Sequence, residues 1–123
     1  MKIATIIVRI LLGLMFVVFG LNILHPFLPM PPQTGLVAEW MKPMFESGYM
    51  RVVGVFQVVG GLILLLGRFV PLGLTLLGPV VVNILIFHIC LDPSGLPMAS
   101  VVAALALFLL WRYRANFAGL VKP

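Results

Sequence analysis

The apolar positions of this chain fall into four long blocks, separated by short stretches where polar residues, glycine and proline collect. The blocks cover approximately residues 3–24, 49–67, 72–91 and 97–114. Each is close to the about 20 mostly apolar residues that a helix needs to cross a bilayer. His25-Pro26 ends the first block, and Pro29, Pro31 and Pro32 exclude a continuing helix because proline lacks the N–H and clashes with the preceding turn. Arg68 and Pro71 mark a tight turn after the second block, and Asp92-Pro93-Ser94-Gly95 marks another after the third. Pro97 suits the first turn of a fourth helix. That helix is short before Arg112 and is expected to use Trp111, Tyr113 and the arginines as its interfacial anchor. Pro79 is expected to kink the third helix. The pattern predicts one all-α transmembrane domain over residues 1–123, a four-helix bundle.

The segment from Thr34 to Ser47 has a different rhythm. Leu36, Val37, Trp40, Met41, Met44 and Phe45 repeat at helical spacing, with Glu39, Lys42 and Glu46 on the other side. This predicts a short amphipathic stretch lying in the interface within the first outer loop. The alternative is an ordered loop over the mouth of the bundle, with Pro43 breaking any helix.

Composition agrees with the blocks. Hydrophobic residues make up 63% of the chain and charged residues 9%, far below the about one quarter charged residues of a soluble domain. The net charge of +5 does not point to nucleic acid, because the few basic residues flank apolar blocks instead of forming a stripe. They also set an orientation. Lys2, Arg9, Arg68, Arg112, Arg114 and Lys122 share the side that carries both termini, against Lys42 and Arg51 on the other. The positive-inside rule then predicts cytoplasmic termini. The acids Glu39, Glu46 and Asp92 fall on the outer side. Lys2 precedes the first apolar run as in a signal peptide. The run extends about twenty residues with no small-residue cleavage site after it, so a retained helix is expected.

The single cysteine, Cys90, cannot make an internal disulfide or a CxxC pair, and reads as a small buried apolar group. Cys90, His25 and His88 have no zinc-site spacing, so no metal is expected. Gly13 and Gly20 share a face of the first helix; Gly54, Gly60, Gly61 and Gly67 thin the second, and Gly73 and Gly78 the third. Small residues let helix backbones approach closely in lipid, and packing is their expected role.

Polar side chains within spans are costly and usually face protein or a water-filled cavity. Asn22 and His25 lie near the outer end of the first helix, and Arg51 at the mouth of the second with Gln57 about 10 Å deeper. Asn83 lies about 12 Å below the outer end of the third helix, with His88 about a turn below that end and Asp92 just outside. Two readings follow. In one, Gln57 and Asn83 floor an outward-opening pocket whose rim is His25, Arg51, His88 and Asp92. There the amides would bond a carbonyl or hydroxyl ligand, and a histidine could carry a proton. In the other, Asn22, Gln57 and Asn83 bond across helices as structural glue. Asn83 and His88 are about 140° apart around their helix, so they cannot both face one axis. Arg9 reads as a topology anchor that snorkels toward the headgroups.

Arg9-Ile-Leu-Leu-Gly13, Phe16 and Phe19-Gly20 resemble the opening of DoxX-like membrane proteins. The similarity continues through Val59-Gly60-Gly61, Leu64 to Pro71, Gly78-Pro79, Asn83-Ile84-Leu85, Phe87-His88 and Leu91-Asp92-Pro93. No single motif is specific; their order and spacing over nearly the whole chain carry the resemblance. It implies a small four-helix protein of the bacterial inner membrane. Some such proteins are associated with redox systems, including a subunit of a thiosulfate:quinone oxidoreductase. Relatives often have a glutamate where this chain has Gln57, so a proton-transfer role does not carry over. No flavin, haem or iron–sulfur signature is present, and the cofactor is left open.

Three functions follow. The first is a redox-associated accessory whose outer pocket accepts a quinone or lipid-like small molecule. The second is a non-catalytic assembly subunit whose glycine faces hold a membrane redox partner or a second copy. The third is a small-molecule carrier, the weakest because the chain has neither an internal repeat nor an acidic relay.

Overall fold

The computed structural model describes residues 2–28 and 32–121, and every regular element within them is helical. Pro29, Pro31 and Lys122, used above, lie outside the described residues. The long helices are α1 (Lys2–Leu24), α3 (Tyr49–Leu66), α4 (Val70–Cys90) and α5 (Leu96–Arg112), with a shorter α2 (Gly35–Glu46) between the first two. Single 3₁₀ segments, Pro93–Gly95 and Arg114–Val121, precede and follow α5. Four segments are long and apolar enough to cross a membrane: α1, α3, α4 and the run Pro93–Arg112.

The outer surface shows what solvent these helices need. Ile3, Leu66 and Leu107 are 75%, 74% and 64% exposed, and large apolar side chains are bare along all four long helices. Water would drive such a surface to aggregate, whereas acyl chains solvate it. The core is correspondingly thin. It consists of Leu12 and Phe16 of α1, Leu64 of α3, Val70, Leu74, Leu77, Val80 and Val81 of α4, and Val102, Ala103 and Leu109 of α5.

The seam between α1 and α3 is the most extensive helix contact, followed by α3 with α4 and α4 with α5; α5 meets α1 more sparsely. Glycine makes the first seam possible. A Cβ on Gly61 would lie 2.7 Å from the Gly13 carbonyl oxygen, and one on Gly54 would lie 3.2 Å from that of Gly20. Gly13 thus meets Gly61 and Gly20 meets Gly54, so α1 and α3 run antiparallel with one helix backbone against the other. This is the close approach that small residues permit in lipid.

The amphipathic segment is helical, and Pro43 does not break it. Pro43 forgoes its own bond to the Glu39 carbonyl, and the helix still runs three residues beyond it to Glu46. Val37, Trp40, Met41 and Met44 form its half-buried stripe. The Trp40 ring packs against Phe87 of α4 with centroids 4.9 Å apart, so α2 folds back onto the bundle. Pro79 likewise lies inside an unbroken α4.

Candidate functional site

Gln57 is the buried polar side chain of the bundle, 5% exposed, among the described residues. It lies at the midpoint of α3, on the stripe formed by Gly54, Gln57, Gly61 and Leu64. Its Cβ is so close to α1 that a Cβ added at Gly20 would come within 2.9 Å of it. The neighbouring glycine therefore admits the long amide into a helix seam. The Gln57 carboxamide makes no hydrogen bond to another described residue. Nor is it sealed off: among the described residues, the fully enclosed side-chain N or O atom without a partner is Arg9 Nε. The two donors and the acceptor of Gln57 thus remain available at the centre of an apolar span.

The other polar residues proposed for one pocket are not gathered around Gln57. Asn83 is exposed, and its Nδ2 donates to the Pro79 carbonyl oxygen of its own helix at 2.8 Å. The structure corrects the expected amide floor for a geometric reason. The buried stripe of α4 passes through Val70, Gly73, Leu74, Leu77, Val80 and Val81, and Asn83 lies off its continuation. Asn22 neither faces a pocket nor bonds another helix. Its Oδ1 accepts from Phe27 N at 3.0 Å and Leu28 N at 2.9 Å, turning the chain at the end of α1. His25 and Arg51 are exposed at the same end of the bundle.

His88 and Asp92 do come together, as parts of the α4–α5 turn. His88 Nδ1 is 3.1 Å from the Asp92 carbonyl oxygen. A carbonyl only accepts, so Nδ1–H is the donor of this bond. The ring stands edge-on to Phe87 and fills the space beside Gly95 that a Cβ would need. The Asp92 carboxylate accepts from Ser94 Oγ. Cys90 is exposed, not the buried apolar group expected.

A second polar locus lies at the opposite end, beside the start of α1 and the end of α5. Lys2, Thr5, Ile6, Arg9, Arg112 and Tyr113 line a cleft of about 400 Å³. Arg112 Nε donates to Thr5 Oγ1 at 2.9 Å, tying α5 to α1. Arg9 is more than a snorkelling anchor. It is half-buried, and its guanidinium packs on Gly67, which ends α3 with φ +73°. A side chain there would be strained by the positive φ and would have to displace the guanidinium. The signal in the sequence was the spacing of Lys2, Thr5 and Arg9, which places them on one face of α1.

No protein-family model matches the chain, and no solved structure matches it. It is similar to the uncharacterized protein YwoB of Bacillus subtilis (strain 168), with 25% identity over 122 residues. That match covers 93% of this chain and 79% of the relative.

Proposed function

We propose that this chain is a DoxX-like protein of the bacterial inner (cytoplasmic) membrane that binds a small amphiphile bearing a carbonyl or hydroxyl group, a quinone-like molecule, as an accessory to a membrane redox system. The observation that carries this reading is Gln57, a primary amide at mid-span with 5% exposure and no side-chain hydrogen bond among the described residues. An unpaired amide in an apolar medium costs about 1–3 kcal/mol on mutational scales. A quinone carbonyl could accept from its Nε2, and a quinol hydroxyl could donate to its Oε1. The proposal narrows the larger polar set to one residue, since Asn22 and Asn83 direct their amides to nearby backbone.

The orientation belongs to the same proposal. Lys2, Arg9, Arg68, Arg112 and Arg114 place the terminal end of the bundle in the cytoplasm by the positive-inside rule, and α2 then lies in the outer loop. A reporter at the C-terminus should be active in the cytoplasm; activity only outside would reverse the assignment.

The test of function is a titration of a short-chain quinone into the full-length protein in nanodiscs. The quinone should bind wild type and bind Gln57→Leu about tenfold more weakly, the loss of one hydrogen bond. Equal binding to both would remove Gln57 from the site. No binding, together with another membrane polypeptide recovered at fixed ratio, would replace the proposal with the assembly role.

A further inference from the structure

Three cationic side chains and two hydroxyls line the cleft at the terminal end of the bundle: Lys2, Arg9, Arg112, Thr5 and Tyr113. The acids of the chain lie elsewhere. Glu39 and Glu46 are in α2, and Asp92 is in the α4–α5 turn at the other end. Arg9 Nε is enclosed and has no hydrogen-bond partner among the described residues. The carboxyl end of α3 offers Arg9 some compensation, because helix C-termini carry partial negative charge. It does not supply a counter-ion.

Below this cleft lies an apolar groove of about 240 Å³ between α4 and α5, with Leu12 of α1 at its floor. Two helix faces run from one cavity into the other. On α1 the face passes from Thr5 and Arg9 to Leu12; on α5 it passes from Tyr113 to Leu110, Ala106 and Ala103. On α4 the groove extends from Leu74 to Leu85. That is about 16 Å at the helical rise, starting about 6 Å in from Val70 at the cleft end of α4. Gly78 lines the groove, and nothing lies within 4 Å of where its Cβ would be.

We infer that these two neighbouring cavities form one site for an anionic phospholipid, with its phosphate in the cleft and one acyl chain in the groove. Lys2, Arg9 and Arg112 meet the phosphate charge, with Arg9 lying deepest along the helix. Basic pockets between membrane helices suit such headgroups. The groove commits the site to a lipid in preference to a free phosphate, since a free ion has nothing to fill it. This site is separate from the one proposed at Gln57, which lines neither cavity.

Native mass spectrometry of the full-length protein tests it. The micelles carry equimolar dioleoyl phosphatidylglycerol and dioleoyl phosphatidylcholine, which share acyl chains and differ in net charge. Wild type should retain the phosphatidylglycerol about tenfold in preference. Arg112→Gln, at an exposed residue, and Arg9→Gln should each erase most of that preference. Gly78→Leu, which enters open space, should lower retention of both lipids. Thermal melting of each variant establishes that it is folded. Equal retention of the two lipids by wild type would overturn the inference, as would an unchanged preference in folded Arg112→Gln. Displacement of phosphatidylglycerol by inorganic phosphate, with Gly78→Leu without effect, would also overturn it and leave an ion site alone.

Discussion

Gly13 and Gly61 face each other across the α1–α3 seam, each leaving room for the other's backbone. A Cβ on Gly13 would stand 2.9 Å from the Gly61 carbonyl oxygen, and the reverse separation is 2.7 Å. Backbone cannot move aside as a side-chain tip can. Gly61→Ala should therefore destabilise the bundle by about 1–3 kcal/mol through overpacking. Gly78→Ala, into open space within a helix, should be neutral or stabilise by up to about 1 kcal/mol. Denaturant unfolding in mixed micelles compares them. Equal losses for both would mean that the seam is not closely packed.

Gln57→Leu should separate stability from binding. If the amide is unpaired in ligand-free protein, replacing it with an apolar side chain of similar length removes a desolvation penalty. The ligand-free variant should be more stable than wild type by about 1 kcal/mol. A loss of stability would show that Gln57 serves the fold through a partner of its own.

Asn22→Ala tests the turn after α1. The variant leaves Phe27 N and Leu28 N without their acceptor. A cost of about 1 kcal/mol is expected for losing the side-chain acceptor of these backbone N–H groups. Hydrogen exchange should quicken at those two amides and not along α4. Exchange that quickens equally along α4 would reassign Asn22 to interhelical bonding.

Trp40→Ala tests how α2 is held. The Trp40–Phe87 ring pair is a tertiary contact of α2 with α4, at 4.9 Å, and such pairs contribute about 0.5–1.5 kcal/mol beyond burial. Hydrogen exchange across residues 35–46 should rise in the variant while α3 stays protected. Unchanged protection would show that the interface, and not Phe87, orders the segment.

These outcomes rest on features that were unequally legible in the sequence. The four apolar blocks were readable because a bilayer demands length and composition together, and both are one-dimensional. The stripe of α2 was readable from its spacing, but whether the helix outlasts the one bond that Pro43 forgoes was not. That Gly13 and Gly20 share a face followed from period alone. Their pairing with Gly61 and Gly54 did not, because register between two helices is a property of their packing. Asn83 shows the same limit. Its depth in α4 could be counted, whereas its direction depends on which stripe of α4 meets α3 and α5. Arg9 was visible as a charge inside an apolar block. Its seat against Gly67, fifty-eight positions away by subtraction of the two residue numbers, appears only when α1 and α3 are laid side by side.

The proposed ligand contact can be observed at the atoms concerned. Gln33 and Gln57 are the two glutamines of the chain, so selective nitrogen-15 glutamine labelling gives two side-chain NH₂ pairs. The full-length protein in nanodiscs is titrated with a short-chain quinone, and Gln57→Leu assigns the pairs by loss of one. The Gln57 pair should move in a saturable way while the Gln33 pair stays in place. A Gln57 pair that does not move at quinone concentrations saturating the binding isotherm would contradict the proposal that Gln57 holds the ligand.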